Sequence, residues 1–197
     1  MSGAVRWILI LVLIGLVFIV YNQLFIVKQA GEDSQTGSLV TDYLGHTPQT
    51  PGPSTRMVTG EQAPDFIYPA IDGRVVQLSD FIGRKPVVLD FWSTRCQPCQ
   101  EELPLLQEFH EQYGDSIEII AVSSEQSNAY IAIGNTVRYK GLEFTVMHDP
   151  SYTIGRMYPH RTIPFMVFID LDGNVVKTES GLNEQVGVEI LETFGLM

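Results

Sequence analysis

The sequence predicts an α/β domain whose sheet is parallel at its centre and carries an antiparallel hairpin at one edge. Three observations predict it. Residues 87–92, VVLDFW, form a short run rich in β-branched and aromatic residues, and strand-like runs alternate with helix-period runs from Glu61 onward. Two Asp-Gly pairs, Asp72-Gly73 and Asp172-Gly173, mark hairpin turns between apolar runs. Alternating strands and helices imply crossover connections, hence parallel pairing, and tight turns imply antiparallel neighbours.

The elements follow in order. Asp65 to Leu78 reads as an opening hairpin that turns at Asp72-Gly73, and VVLDFW reads as a buried central strand. That strand leads into the only two cysteines and then into QEELPLLQEFHEQYG. In this run Leu103, Leu106, Phe109, His110 and Tyr113 recur at helical spacing, with Gly114 as a stop and Pro104 expected to kink the helix. IEIIAVSS repeats the strand pattern, a helical stretch is predicted from about Glu125 to Lys140, and LEFTVMHD reads as the next strand. FMVFIDLDGNVVKTE reads as a hairpin turning at Asp172-Gly173, and a last helix starts at about Glu184.

Ahead of this domain lies a different kind of sequence. Residues 7–27, WILILVLIGLVFIVYNQLFIV, carry no charge, and at helical rise they reach about 30 Å, enough to cross a bilayer. Trp7 and Tyr21 suit the headgroup regions at the two ends of the apolar run. A cleaved signal peptide has a shorter apolar core of about 7 to 15 residues followed by a small-x-small site, so an uncleaved anchor is expected. Residues 1–6 are expected in the cytoplasm, because Arg6 and the free amine favour that side over the single Lys28. Residues 28–60 are rich in Gly, Ser, Thr, Gln and Pro without sustained apolar periodicity, and read as a polar tether. Residues 61–197 then form the domain, which this orientation places outside the cytoplasm at the cell membrane.

The charge balance narrows the function. Twelve Lys and Arg stand against 23 Asp and Glu, a formal net charge of -11, which argues against nucleic acid as a partner. With only two cysteines the chain is not a disulfide-stapled mini-domain, and the close spacing of Cys96 and Cys99 makes them a site. Cys96 falls at a strand end and Cys99 about one turn into the following helix. A helix N-terminus offers unpaired N–H groups and partial positive charge, which favour the thiolate of Cys96 as a nucleophile. Cys99 is then the buried partner that attacks a mixed disulfide on Cys96, releasing reduced substrate and leaving a Cys96–Cys99 bridge. Pro98 fits the first helical turn, where its missing N–H is no loss. Two other readings stand beside this one. Zinc needs about four ligands, and His46, His110, His148 and His160 show no paired ligand spacing. A structural disulfide closing so small a loop stabilises little.

With the strand–CxxC–helix unit in view, the chain resembles the thioredoxin superfamily, specifically its membrane-anchored TlpA-like and ResA-like branch. The resemblance runs from about Val58 to the C-terminus. VVLDFW running into WSTRCQPC, the segment Thr162-Ile163-Pro164 before a strand, and the opening APDFIYPAIDGRVVQLSDFIGRKPVVL carry it. It implies a thioredoxin-like fold with a central mixed sheet, an N-terminal hairpin and an extra helix and strand between about Glu125 and Asp149. It also implies a cis Pro164 beside the cysteines, making Thr162, Ile163 and Pro164 a platform for an extended substrate.

The same resemblance assigns Asp90 and Glu102 to proton handling. Asp90 occupies the place of a buried acid in thioredoxins where the anchored branch more often has Asn, and burial is expected to raise its pKa. Glu102 matches an acid of ResA-like proteins near their cysteines, and a solvated helix face is its other reading. Arg95 departs from the aromatic residue many relatives carry before the first cysteine. It is expected to favour the Cys96 thiolate and to meet acidic segments of a partner. His160 borders the site or sits in a surface loop.

The implied activity is a membrane-anchored thiol-disulfide oxidoreductase acting as a reductant. Its expected partners are disulfide-containing exported proteins, such as apocytochrome c or copper-site proteins, and a membrane thiol electron donor. No cofactor or metal is called for. A peroxiredoxin-like peroxide reductase is an alternative, because APDF also opens peroxiredoxins, but residues 90–94 lack the Pro those enzymes place before their cysteine. A non-enzymatic module whose cysteine pair locks its shape is the other alternative.

Overall fold

The computed structural model describes residues 59–197. The expected membrane span, residues 7–27, and almost all of the expected tether lie outside the described residues. No helix among the described residues is long and apolar enough to cross a membrane.

Strands β1 (Ile67–Pro69) and β2 (Val75–Gln77) form a small antiparallel hairpin. Its turn is held by the Asp72 carboxylate, which accepts from the Arg74 N–H at 2.9 Å, while Gly73 takes the positive φ of 89° that the turn requires. Strand β3 (Val87–Trp92) follows, then helix α1 (Gln97–Tyr113), β4 (Glu118–Ser123), α2 (Tyr130–Lys140) and β5 (Thr145–His148). The chain ends with α3 (Thr153–Met157), β6 (Phe165–Ile169), β7 (Val175–Ser180) and α4 (Val186–Thr193). The five-stranded sheet runs β5-β4-β3-β6-β7. β3 pairs parallel with β4, which pairs parallel with β5, while β6 runs antiparallel to both β3 and β7. The sheet is therefore mixed, with β3 at its centre.

All six residues of β3 are buried, because helices or the hairpin cover both its faces. On one face Val88 and Trp92 meet Leu103, Leu106 and Phe109 of α1 and Ile190 of α4. On the other, Val87, Leu89 and Phe91 meet Phe66, Leu78, Ile154 and Tyr158. The alternation along β3 follows from the two-residue period of a strand. Asp90 shares the parity of Val88 and Trp92, so its carboxylate is directed into the α1 face of the core.

One expectation needs correction. The stretch predicted as helix from about Glu125 becomes a 3-10 turn over Ser127–Ala129 followed by α2, and Glu125 itself is buried against the loop after β3. Helix α1 continues through Pro104. Proline removes the N–H that would bond the carbonyl four residues earlier, which is that of Gln100. Lys140, the last residue of α2, donates to that carbonyl from Nζ at 2.7 Å. Gln107 adds a second tie between α1 and the segment after α2, its side-chain oxygen accepting from the Glu143 N–H at 2.9 Å.

Leu103 is fully buried between α1 and the sheet. Leu103→Ala is expected to destabilise the domain by about 2 to 5 kcal/mol, read as a lower urea midpoint with an unchanged slope.

Candidate active site

The site forms where β3 ends and α1 begins. Cys96 is the residue that caps α1, with extended backbone at φ -84° and ψ 105°, and Pro98 lies in the first turn. Cys96 and Cys99 are joined by a disulfide with Cα atoms 5.2 Å apart. The Cys99 N–H donates to the Cys96 sulfur at 3.2 Å. Cys96 is half-buried and Cys99 is only 1 % exposed, so an approaching thiol or disulfide meets Cys96. A thiolate at Cys96 would inherit this N–H donor and the positive end of a 17-residue helix, both of which favour the ionised form.

The loop between strand and helix is braced from the neighbouring strand. Glu125, just beyond the C-terminal end of β4, accepts from the Thr94 N–H at 2.7 Å, the Thr94 hydroxyl at 2.8 Å and the Ser123 hydroxyl at 3.1 Å. Reading Glu125 as the start of a helix missed this role. The available signal was its position after a strand parallel to β3, since sites of open α/β sheets gather at those strand ends. Arg95 is 86 % exposed and its Nε lies 3.8 Å from Glu125, so the carboxylate engages the cation that sequence reasoning directed at Cys96. An ion pair this exposed contributes little to stability.

Asp90 and Glu102 are buried on the α1 side of the sheet, the side that also holds Cys99, at 1 % and 0 % exposure. Glu102 is one helical turn beyond Cys99 on α1, which puts both on one helix face. Burial leaves no room for the solvated reading of Glu102. Burial first, and then the charge of Glu102, pushes the Asp90 carboxyl well above the usual carboxylate range. Burial likewise raises Glu102 to about 7. The Asn183 backbone N–H opposes that rise from outside hydrogen-bonding geometry, and the Glu179 charge adds to it. Asp90 Oδ1 and both Glu102 oxygens are buried without a hydrogen-bond partner among the described residues. Carboxyls so placed hold protons near neutral pH and can exchange them with a neighbouring thiol.

The Ile163-Pro164 peptide bond is cis. Thr162 is exposed, Ile163 half-buried and Pro164 buried, and β6 starts immediately afterwards at Phe165, which pairs with Phe91 of β3. The Thr162 and Ile163 main chain is not paired with any strand among the described residues. Beside it opens a cavity of about 310 Å³ lined by Arg95, Trp92, Glu125, Tyr152, His160 and Ile163. His160 lies in the loop between α3 and β6, half-buried, and borders this cavity. Its ring stacks on Phe165 at 5.3 Å and lies 4.6 Å from Phe91, Nδ1 is 2.8 Å from the Tyr158 carbonyl, and burial lowers its pKa. Among the described residues no group of three or more His, Cys, Asp or Glu is placed to hold a metal ion.

A CxxC disulfide at a helix N-terminus, on a mixed sheet of this order and next to a cis-proline loop, defines a thiol-disulfide oxidoreductase of the thioredoxin fold. The chain belongs to the AhpC/TSA family, whose model matches residues 59–178. It is 35% identical over 127 residues to the thiol-disulfide oxidoreductase ResA of Bacillus thuringiensis subsp. konkukian, covering 64% of this chain and 72% of that protein. To ResA of Bacillus subtilis it is 32% identical over 123 residues, covering 62% and 67%. Among solved structures it is similar to a protein described as a thiol:disulfide interchange protein DsbE from Chlorobium tepidum, with a TM-score of 0.62 and 28% identity over 70% of this chain and 95% of that one. StoA from Bacillus subtilis matches with a TM-score of 0.56 and 26% identity over 64% and 96%.

The raised carboxyls fix the sign of a pH effect. An acid whose pKa rises on folding binds more protons in the folded than in the unfolded chain between its two pKa values. Stability therefore falls as pH rises through that window, which for Glu102 runs from 4.5 to about 7. The melting temperature of the oxidised protein is expected to drop across this range, and Glu102→Gln to flatten the drop. A second expectation concerns the brace: Glu125→Ala leaves the Thr94 donors unmet and should lower the urea midpoint by the equivalent of about 1 to 3 kcal/mol.

Proposed function

We propose that this chain is a membrane-anchored, extracytoplasmic reductant of disulfides in exported proteins, serving cytochrome c or metalloprotein maturation. The observation that carries the redox reading is the pairing of a reachable Cys96 with a buried Cys99 above two buried carboxyls. On this reading Cys96 attacks the substrate disulfide, Cys99 resolves the mixed disulfide, and Asp90 or Glu102 takes the Cys99 proton. The unpaired Thr162-Ile163 main chain offers hydrogen bonds to an extended substrate, and Pro164 keeps that edge free of an N–H. The apolar segment at residues 7–27 supports anchoring, with the electron donor a membrane thiol protein.

The similarity to ResA proteins favours disulfide exchange over peroxide reduction. A peroxidatic cysteine needs a pocket for a small peroxide, whereas here the first cysteine is the accessible half of a CxxC bridge at the surface. A shape-locking module would have no use for buried acids at the pair.

Reduction of insulin by dithiothreitol is expected to be accelerated by the full-length chain and to lose that acceleration in Cys96→Ser. In membranes of the producing cell the protein should stay in the pellet after an alkaline carbonate wash, and release into the supernatant would remove the anchor from this reading.

A further inference from the structure

Cys99, Asp90 and Glu102 are each 1 % exposed or less, which creates a transport problem. A proton leaving the Cys99 thiol reaches a carboxyl that itself has no contact with water. Glu179 on β7 supplies what this closed group lacks. The sheet register sets Asp90 opposite Met166 and Met166 opposite Glu179, so the two carboxylates project from the same face across one intervening strand. Glu179 has two differently placed oxygens. Oε1 accepts from the Asn183 side-chain N–H at 3.0 Å in the turn before α4, whereas Oε2 is buried with no hydrogen-bond partner among the described residues. The side chain as a whole is 25% exposed.

We propose that Glu179 is the outer member of a buried proton path running from the Cys99 sulfur through Glu102, with Asp90 beside it, to solvent at β7. The path rests on thiol-disulfide exchange at Cys96 and Cys99 and is independent of substrate and direction. In the resolving step the Cys99 thiol gives its proton to the ionised form of Glu102, which a carboxyl raised to about 7 populates in part at neutral pH. The sulfur electron pair left behind forms the bond to Cys96, the bond between Cys96 and the substrate sulfur breaks, and the substrate departs as a thiolate. The cysteine pair is thereby oxidised and the substrate disulfide reduced. The proton on Glu102 passes to Glu179 Oε2, and Glu179 gives it to water. Running in reverse, the path delivers a proton to Cys99 when the pair is reduced.

The charged groups facing this path come from each element packed around it: Asp90 from β3, Cys99 and Glu102 from α1, Glu179 and Lys177 from β7, and Glu189 from α4. Lys177 Nζ lies 3.8 Å from Glu179 Oε2, beyond hydrogen-bond distance, and contacts Glu189. Lys177 is shared between Glu179 and Glu189, and Glu179 Oε2 still lacks a hydrogen bond. The electrostatic coupling follows the same order, since the Glu102 charge raises Asp90 and the Glu179 charge raises Glu102.

The test uses the reduced full-length chain mixed with saturating oxidised insulin in single-turnover stopped flow. The signal is tryptophan fluorescence, since Trp92 packs in the same cluster as Cys99. Glu179→Gln is expected to slow the resolving step about tenfold at pH 7, less than the roughly hundredfold or more of a directly acting acid–base group, because Glu179 acts through Glu102. Its solvent deuterium isotope effect should grow, while alkylation of Cys96 by iodoacetamide stays at the wild-type rate. Glu179→Asp should recover most of the rate. A wild-type resolving rate and isotope effect in Glu179→Gln would overturn the path. If that variant fails to fold by circular dichroism, Asn183→Ala keeps the carboxylate but frees its outer oxygen, and an unchanged isotope effect there overturns the path equally. Absence of insulin reduction by the unaltered chain would reject the exchange reading itself, together with this path.

Discussion

Strand β3 is hydrogen-bonded along both edges and covered on both faces, and that double enclosure organises everything around the cysteines. Its parallel partner β4 brings a second C-terminal strand end alongside, with Ser123 opposite Trp92. Its antiparallel partner β6 brings an N-terminal end to the same place, with Phe165 opposite Phe91. The loop carrying the cysteines, the brace from Glu125 and the cis-proline turn therefore converge because of strand direction. Each is attached to a strand that cannot slide, since a one-residue slip would turn every buried side chain to the wrong face.

The same enclosure explains the chemistry available to the site. A carboxyl placed in the centre of such a strand has no water to stabilise its charge, so Asp90 holds its proton far more tightly than an exposed aspartate. Glu102 faces it from α1, and two like charges in one dry layer oppose ionisation further. The fold accepts this unfavourable arrangement on the side of the sheet that also holds Cys99. The result is a store of protons beside a sulfur that must exchange them.

The alternation of apolar strands with helix-period runs was legible in the sequence because burial on two faces leaves a compositional trace, as in VVLDFW and IEIIAVSS. So were the Asp-Gly hairpin turns, and the cysteine pair with its proline, whose local geometry depends on residues adjacent in the chain. Glu125 was not legible as a brace, because its partners Thr94 and Ser123 meet it only once β3 and β4 lie side by side. The same holds for the burial of Glu102, since helical periodicity identifies a face but not what covers it. Half-burial of His160 likewise depends on the packing of Phe91 and Phe165. Contacts across strand pairings have no signature in a single stretch of sequence.

The bond from Lys140 to the Gln100 carbonyl makes α2 and the proline of α1 a matched set. A sandwich trimmed of α2 and β5 would keep the proline but leave the Gln100 carbonyl, next to Cys99, without the ammonium group that meets it. Conversely, transplanting α2 onto a scaffold whose helix has an ordinary residue at that position would present its lysine to a carbonyl already in use. Helix α2 is consequently not an interchangeable module: its last residue and an internal proline of another helix are parts of one joint, and grafting must move both together.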